Sequence, residues 1–216
     1  MTLDYFFVLI FFLSLIFLIL RLWTRNSKKY TRSKDKDPAS VLMVAGSGGH
    51  TREILSLATT LGKHYSPRYY IVAETDSVSE AKIHYCEKQR GGDDVPQEYQ
   101  IFTIPRSREV KQSYLTSILT TCRASLSSFP LVFKLQPDVI LCNGPGTCIP
   151  ICFAGLLLKW FSVKDTYIVY VESFCRVTSM SLSGKLLYRF VDAFFVQWPE
   201  LAEKYPGAKY MGPVVS

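Results

Sequence analysis

Seven short apolar runs recur along the chain, at residues 41–45, 69–73, 100–104, 139–142, 167–171, 194–196 and 209–211, each separated from the next by a stretch long enough for a helix or turn. β-branched and aromatic residues dominate them, and most are continuously apolar rather than alternating, as expected of strands buried on both faces. Helical patterns fill the gaps at 51–61, 77–87, 114–129, 147–160 and 184–191. Strands that alternate with helices imply βαβ units and a parallel sheet covered on both sides. The fold class expected is therefore α/β, with one Rossmann-like parallel-sheet domain over residues 41–216. About 175 residues are ample for one buried core. Only residues 88–98, with Gly91, Gly92 and Pro96, interrupt the pattern as an insert.

Such sheets bind ligands outside the carboxyl ends of their strands. The residues following the runs are Gly46-Ser-Gly-Gly-His50, Glu74-Thr-Asp76, Pro105-Arg-Ser-Arg108, Asn143-Gly-Pro-Gly-Thr147, Glu172-Ser-Phe-Cys-Arg176 and Gln197-Trp-Pro199. In the first, Gly46, Gly48 and Gly49 permit close backbone approach, and Ser47 adds a hydroxyl. The helix that starts there aims free N–H groups at an anion. Thr51 stands where a dinucleotide fingerprint needs glycine, and there is no G-K-[ST] for a Walker loop. A glycine turn serving only helix–strand packing fits the same residues.

Asn143, Gly144, Gly146 and Thr147 form a second cradle of this kind, and Arg106 and Arg108 can clamp a diphosphate through bidentate guanidinium contacts. On a solvated loop the two arginines would do nothing. His50 lies in the first turn of a helix, whose positive end disfavours a cation, so its ring can accept a proton as a general base. A purely structural, hydrogen-bonded histidine suits the position equally well. Glu172 is either an acceptor for substrate hydroxyls or a partner of Arg176.

The domain follows an uncharged apolar run, residues 5–20, which extends to 3–23 and so to roughly the 20 residues that cross a ~30 Å hydrocarbon core. Asp4 precedes this run. Arg21, Arg25, Lys28, Lys29, Arg32, Lys34 and Lys36 follow it, and no small-residue cleavage site appears. A transmembrane anchor (3–23) and a basic juxtamembrane linker (24–40) are expected, with the N-terminus lumenal and the domain cytosolic. The formal charge of +7 is split: residues 1–37 carry 7 basic and 3 acidic side chains, and the remainder 18 and 15. Anionic membrane lipid suits that distribution better than nucleic acid, for which there is no binding signature. The six cysteines include no C-x-x-C pair, so free, mostly buried thiols are expected, with no metal and no cofactor.

The stretches VAGSGGHTREIL, IPRSREV, LCNGPGTCIPIC, IVYVESFCRV, VQWPEL and YMG span essentially the whole chain. Together they resemble the membrane-anchoring subunits of the two-chain UDP-N-acetylglucosamine transferase of dolichol-linked oligosaccharide synthesis. More distantly, the two glycine turns resemble the acceptor half of the bacterial transferase that adds N-acetylglucosamine to a lipid-linked peptidoglycan precursor. The resemblance implies one acceptor-side half of a GT-B glycosyltransferase at the endoplasmic reticulum membrane. A separate soluble subunit would bring the UDP-N-acetylglucosamine site. The reaction implied adds the second N-acetylglucosamine, β1,4, to dolichyl-diphosphate N-acetylglucosamine. It also implies a partner-binding segment over 205–216, with Tyr205, Tyr210, Met211, Gly212, Val214 and Val215. His50 and then Glu172 are the candidate bases, with the glycine turns and arginines on the acceptor diphosphate.

Two competing readings remain open from sequence alone. One is a membrane scaffold for a catalytic partner, without a direct catalytic role. The other is an oxidoreductase in which Glu74 or Asp76 binds a ribose, weakened by Thr51.

Overall fold

The computed structural model of the chain describes residues 38–91, 98–105 and 114–214. The expected anchor, the expected linker up to residue 37, Arg106, Arg108 and Val215 lie outside the described residues. Among the described residues no helix is long and apolar enough to cross a membrane.

Seven strands form one parallel sheet: β1 Val41–Val44, β2 Arg68–Ala73, β3 Tyr99–Ile104, β4 Val139–Asn143, β5 Tyr167–Val171, β6 Ala193–Val196 and β7 Lys209–Tyr210. Their order is β3-β2-β1-β4-β5-β6-β7. The chain winds outward one way from β1 to β3, crosses over, and winds outward the other way from β4. The reversal leaves a crevice between the carboxyl ends of β1 and β4, which pair directly with Val44 opposite Cys142. All the runs expected to be strands are strands, within one or two residues at each end.

Among the described residues six helices connect them: α1 Gly49–Thr60, α2 Ser77–Gly91, α3 Tyr114–Leu135, α4 Cys148–Trp160, α5 Leu182–Leu187 and α6 Pro199–Lys204. Side chains alternate across the sheet. Val41, Met43, Tyr70, Val72 and Leu141 pack under Ile54, Leu55 and Ala58 of α1 and Ile83 of α2. Leu42, Val44, Ile140, Cys142 and Ile168 pack on the other face against Val132 of α3 and Ile151 and Leu158 of α4. Both sets are almost fully buried, which explains why the strands read as unbroken apolar runs. Gly155 lets α4 lie close to the sheet, since a Cβ there would sit 2.6 Å from Ile140 Cδ1.

Four helices differ from expectation. Helix α2 runs on to Gly91, four residues into the stretch expected as an insert, with Lys88 and Arg90 in its last turn. Helix α3 runs through Pro130 to Leu135 instead of ending at Phe129. The proline removes one N–H, but Ala124 and Val132, buried on either side of it, hold the helix to the core. Helix α5 starts earlier because Ser181 caps it, its Oγ accepting from Gly184 N at 2.9 Å. Helix α6 was not expected; its signal was Pro199 at the first helical position, followed by Glu200. At the amino end of β2, Arg68 is buried and makes paired hydrogen bonds to Glu87 at 2.9 and 2.7 Å. Cys142, Cys148 and Cys152 are buried free thiols, as expected; Cys86 is half-buried and Cys175 exposed.

Candidate functional site

The two glycine turns meet at the crevice. Gly46 must lack a side chain because a Cβ there would lie 2.7 Å from Pro145 Cγ and 3.0 Å from His50 Cβ. Gly144 has φ +71°, and a Cβ on it would overlap His50 Cε1 and lie 2.7 Å from His50 Nδ1. The backbone of each turn is thus fitted to the other around one imidazole. By contrast, a Cβ at Gly48, Gly49 or Gly146 would meet nothing within 4 Å. Those three positions, with exposed Ser47 and half-exposed Thr147, border open space.

Helix α1 starts at this opening from Gly48, which offers no side-chain cap, and its first turn holds no acidic residue. Its leading N–H groups are therefore left for an external acceptor. Thr51 turns inward, its hydroxyl bonding Gly46 O and lying 2.6 Å from Ser79 Oγ. That ties the turn to α2, where Asp76 accepts from Ser79 N at 3.1 Å and Ser79 Oγ at 2.6 Å. Buried Asp76 is thereby spent as a helix cap and does not face a ribose.

His50 is half-exposed, with Nδ1 3.2 Å from Asn143 Oδ1. The orientation of Asn143 follows from its other partners. Asn143 is fully buried, and its Nδ2 donates to Glu53 Oε2 at 3.0 Å and Val171 O at 3.3 Å. A carboxylate and a carbonyl can only accept, so the amide nitrogen faces them and Oδ1 faces the imidazole. Nδ1 is then the protonated nitrogen, and Nε2 carries the lone pair. Among the described residues Nε2 has no hydrogen-bond partner. The sequence placed Asn143 on the ligand; the structure turns its side chain inward, behind His50.

Glu53 lies beneath this pair, 4% exposed, and gathers four donors. Besides Asn143 these are Gln197 Nε2 at 2.7 Å, Phe174 N at 3.0 Å and Ser173 Oγ at 2.8 Å. It joins α1 to the carboxyl ends of β4, β5 and β6. Gln197 in turn donates to Glu172 O at 3.0 Å and accepts from Val214 N at 2.8 Å, which fastens the C-terminal segment to the same network. Sequence reasoning missed Glu53 because it sat among polar helix residues. The signal available was its place beside Ile54, Leu55 and Ala58 on the buried stripe.

Glu172 does not project into the crevice. It is fully buried and accepts from Ser173 N at 3.1 Å, Ser181 N at 3.0 Å and Ser181 Oγ at 3.1 Å. A Cβ on Gly184 would overlap its Oε2. Burial pushes its carboxyl above the ordinary range, an effect partly offset by the Ser181 and Ser173 bonds and the Arg176 charge. In this position the carboxyl braces the loop between β5 and α5.

Of the expected partner-binding residues, Tyr210 and Met211 are exposed, and Gly212 turns the chain with φ +81°. Tyr205 packs inward against Tyr188, ring centroids 5.8 Å apart. Val214 is half-buried, its carbonyl accepting from Ser56 Oγ at 2.7 Å. Met211 borders an apolar cavity of about 190 Å³ between α1 and the sheet, with Leu57, Leu61, Val169 and Phe195 on its walls. Among the described residues there is no cluster of side chains able to hold a metal ion.

The family described as "Oligosaccharide biosynthesis protein Alg14 like" matches residues 41–214, the whole of the sheet domain. The chain belongs to that family. Rat and human proteins named "UDP-N-acetylglucosamine transferase subunit ALG14" are 50% and 49% identical to it over 206 residues, covering 93% of this chain and 93% of each of theirs. The Schizosaccharomyces pombe protein of the same name is 46% identical over 202 residues, 91% of this chain and 93% of its own. Among solved structures, Acinetobacter baumannii MurG superposes with a TM-score of 0.55 at 17% identity, covering 76% of this chain and 43% of that one. Arabidopsis thaliana UGT89C1 gives 0.53 at 12% identity, covering 83% of this chain and 51% of that one. The Alg14-like chain thus spans about half the length of these structures, and the likeness is one of fold.

Proposed function

We propose that this chain is the acceptor-binding membrane subunit of a UDP-N-acetylglucosamine transferase, working with a separate soluble subunit that binds the donor. The observation that carries this reading is His50, held at the switch point between two glycine turns with Nε2 free of any partner among the described residues. Identity near one half with relatives named as subunits of that transferase supports the activity.

In this reading the acceptor is dolichyl-diphosphate N-acetylglucosamine. Its diphosphate lies against Gly48, Gly49 and Gly146, where the backbone is open, and takes hydrogen bonds from the start of α1. Arg106 and Arg108, which follow β3 in sequence, would supply counter-charge. His50 Nε2 removes the proton from the acceptor 4-hydroxyl as that oxygen attacks the donor's anomeric carbon. UDP departs from the opposite side, which inverts the linkage to β1,4. Glu172, enclosed by Ser173 and Ser181, serves as a brace and not as the base.

The exposed Tyr210 and Met211, beside the apolar cavity, are where the soluble subunit would dock. Residues 3–23 would anchor the chain in the endoplasmic reticulum membrane, with the N-terminus lumenal and the domain cytosolic, close to its lipid-borne substrate. Reconstitution with UDP-N-acetylglucosamine and a polyprenyl-diphosphate N-acetylglucosamine tests the proposal. Activity is expected only with both subunits, and His50→Ala should lower kcat by about 10²–10⁴-fold, the contribution of a general base. Full activity of an assembled His50→Ala complex would remove the base; activity of this chain alone would remove the divided enzyme.

A further inference from the structure

We propose that Arg176 is a further binding residue of this site, placing its guanidinium on the diphosphate of the lipid-borne acceptor. This rests on the acceptor-binding reading above and adds to it a cation that the sequence paired only with Glu172. The crevice opens between β1 and β4. Arg106 and Arg108 follow β3, two strands out from β1, whereas Arg176 follows β5, which pairs directly with β4. At ~4.8 Å between neighbouring strands, β5 ends one spacing from the crevice and β3 two.

Residues 173–181 join β5 to α5 without helix or strand, and Cys175 to Ser179 are exposed. Surface connections are ordinarily the most mobile parts of a fold, but this one is fastened along its length. Glu53 accepts from Ser173 Oγ at 2.8 Å and Phe174 N at 3.0 Å, and Trp198 Nε1 donates to Phe174 O at 2.6 Å. Arg176 N closes a turn onto Ser173 O at 2.9 Å, and Glu172 holds Ser181 N at 3.0 Å. The Glu53 oxygen that takes Phe174 N also takes Asn143 Nδ2 at 3.0 Å, and Asn143 touches His50. The turn is therefore two hydrogen-bond lengths from the amide beside the candidate base, within reach of an arginine side chain.

The local charge calls for a cation. Glu53 and Glu172 are buried beneath the rim, and among the described residues their contacts are hydrogen bonds, with no ion pair. A diphosphate at Gly48, Gly49 and Gly146 brings more negative charge toward them, at a cost that a nearby cation reduces. Arg176 makes no ion pair and no side-chain hydrogen bond among the described residues, so its five N–H donors are left for an external acceptor. A guanidinium fits phosphate oxygens two at a time, which a lysine cannot do.

The test is steady-state kinetics of the assembled two-subunit complex with UDP-N-acetylglucosamine and a polyprenyl-diphosphate N-acetylglucosamine, using inorganic pyrophosphate as a competitor. Arg176→Gln is expected to raise the acceptor KM, and the pyrophosphate concentration needed to compete with acceptor, about tenfold, the loss of a charge-assisted contact. The KM for UDP-N-acetylglucosamine and kcat should stay within about twofold. Arg176→Lys, which keeps the charge without the fork, should fall between. Because Arg176 is exposed, both variants should co-purify with the soluble subunit as wild type does.

An acceptor KM for Arg176→Gln within twofold of wild type overturns the proposal. If Tm alone moves, the guanidinium serves only to offset the Glu172 charge. A rise in the KM for UDP-N-acetylglucosamine, with the acceptor KM unmoved, overturns it by placing Arg176 on the nucleotide diphosphate. A wild-type complex that transfers nothing to the polyprenyl acceptor refutes the acceptor-binding reading itself, a failure seen before any Arg176 variant is made.

Discussion

Replacing Gly144 with alanine perturbs the candidate base from a position that no ligand has to touch. With φ at +71° the backbone there is left-handed, which costs an alanine roughly 1–2 kcal/mol. For a chain of this size each kcal/mol is worth about 2–4 °C in Tm, so the variant should remain folded at assay temperature. The functional effect comes from the methyl group, which would overlap His50 Cε1 and sit 2.7 Å from Nδ1. Non-bonded contacts rest near ~3.5 Å, so the ring has to retreat by about 1 Å. A shift of that size alters the 3.2 Å contact between His50 Nδ1 and Asn143 Oδ1. A displacement of ~1 Å in a reacting group costs on the order of a hundredfold in rate. The assay is kcat in the assembled two-subunit complex, measured well below the variant's Tm, with circular dichroism and co-purification as controls for folding and assembly. A folded, assembled Gly144→Ala complex with wild-type kcat would refute the placement of His50 at the reacting centre.

Other consequences are open to direct measurement. Because burial raises the Glu172 carboxyl, its contribution to stability is fully present below its unfolded value, near ~4.3, and is lost as pH rises through the higher folded value. The Tm difference between wild type and Glu172→Gln should accordingly shrink with rising pH across the mildly acidic range, and a difference that grew with pH would reverse that sign. Burial also pushes the Cys142 and Cys148 thiols upward, so iodoacetamide should label exposed Cys175 in the native protein and reach Cys142, Cys148 and Cys152 only after denaturation. Native labelling of Cys142 would contradict the packing of α4 on β4.

What could be read from sequence was set by period and by glycine. Runs such as 139–142 and 167–171 are apolar on both faces because α4 covers one side and the α1 layer shares the other, so they announce a parallel sheet. The two glycine turns were legible because only a residue without a Cβ fits where Gly46 meets Pro145 and Gly144 meets His50. Direction was not legible. Asn143 and Glu172 both stand at strand ends, yet each turns inward, because partners distant in sequence, Glu53 for one and Ser181 for the other, decide where a polar side chain points. Glu53 escaped notice for the same reason: its four donors come from Asn143, Ser173, Phe174 and Gln197, and locally only its place on the buried stripe of α1 marks it. Pro130 likewise looked like a helix end, since its cost is local while the core contacts that outweigh it are not.

The central claim is that this chain holds the lipid-borne acceptor and not the nucleotide sugar. It is tested most directly by photolabelling the purified full-length chain, without its soluble partner, with two probes: a photoreactive polyprenyl-diphosphate N-acetylglucosamine and a photoreactive UDP-N-acetylglucosamine. The account predicts that the lipid probe labels peptides carrying residues 46–50 and 144–147, competed by unlabelled acceptor, while the UDP probe labels neither. Labelling of those turns by the UDP probe, with none by the lipid probe, would contradict it.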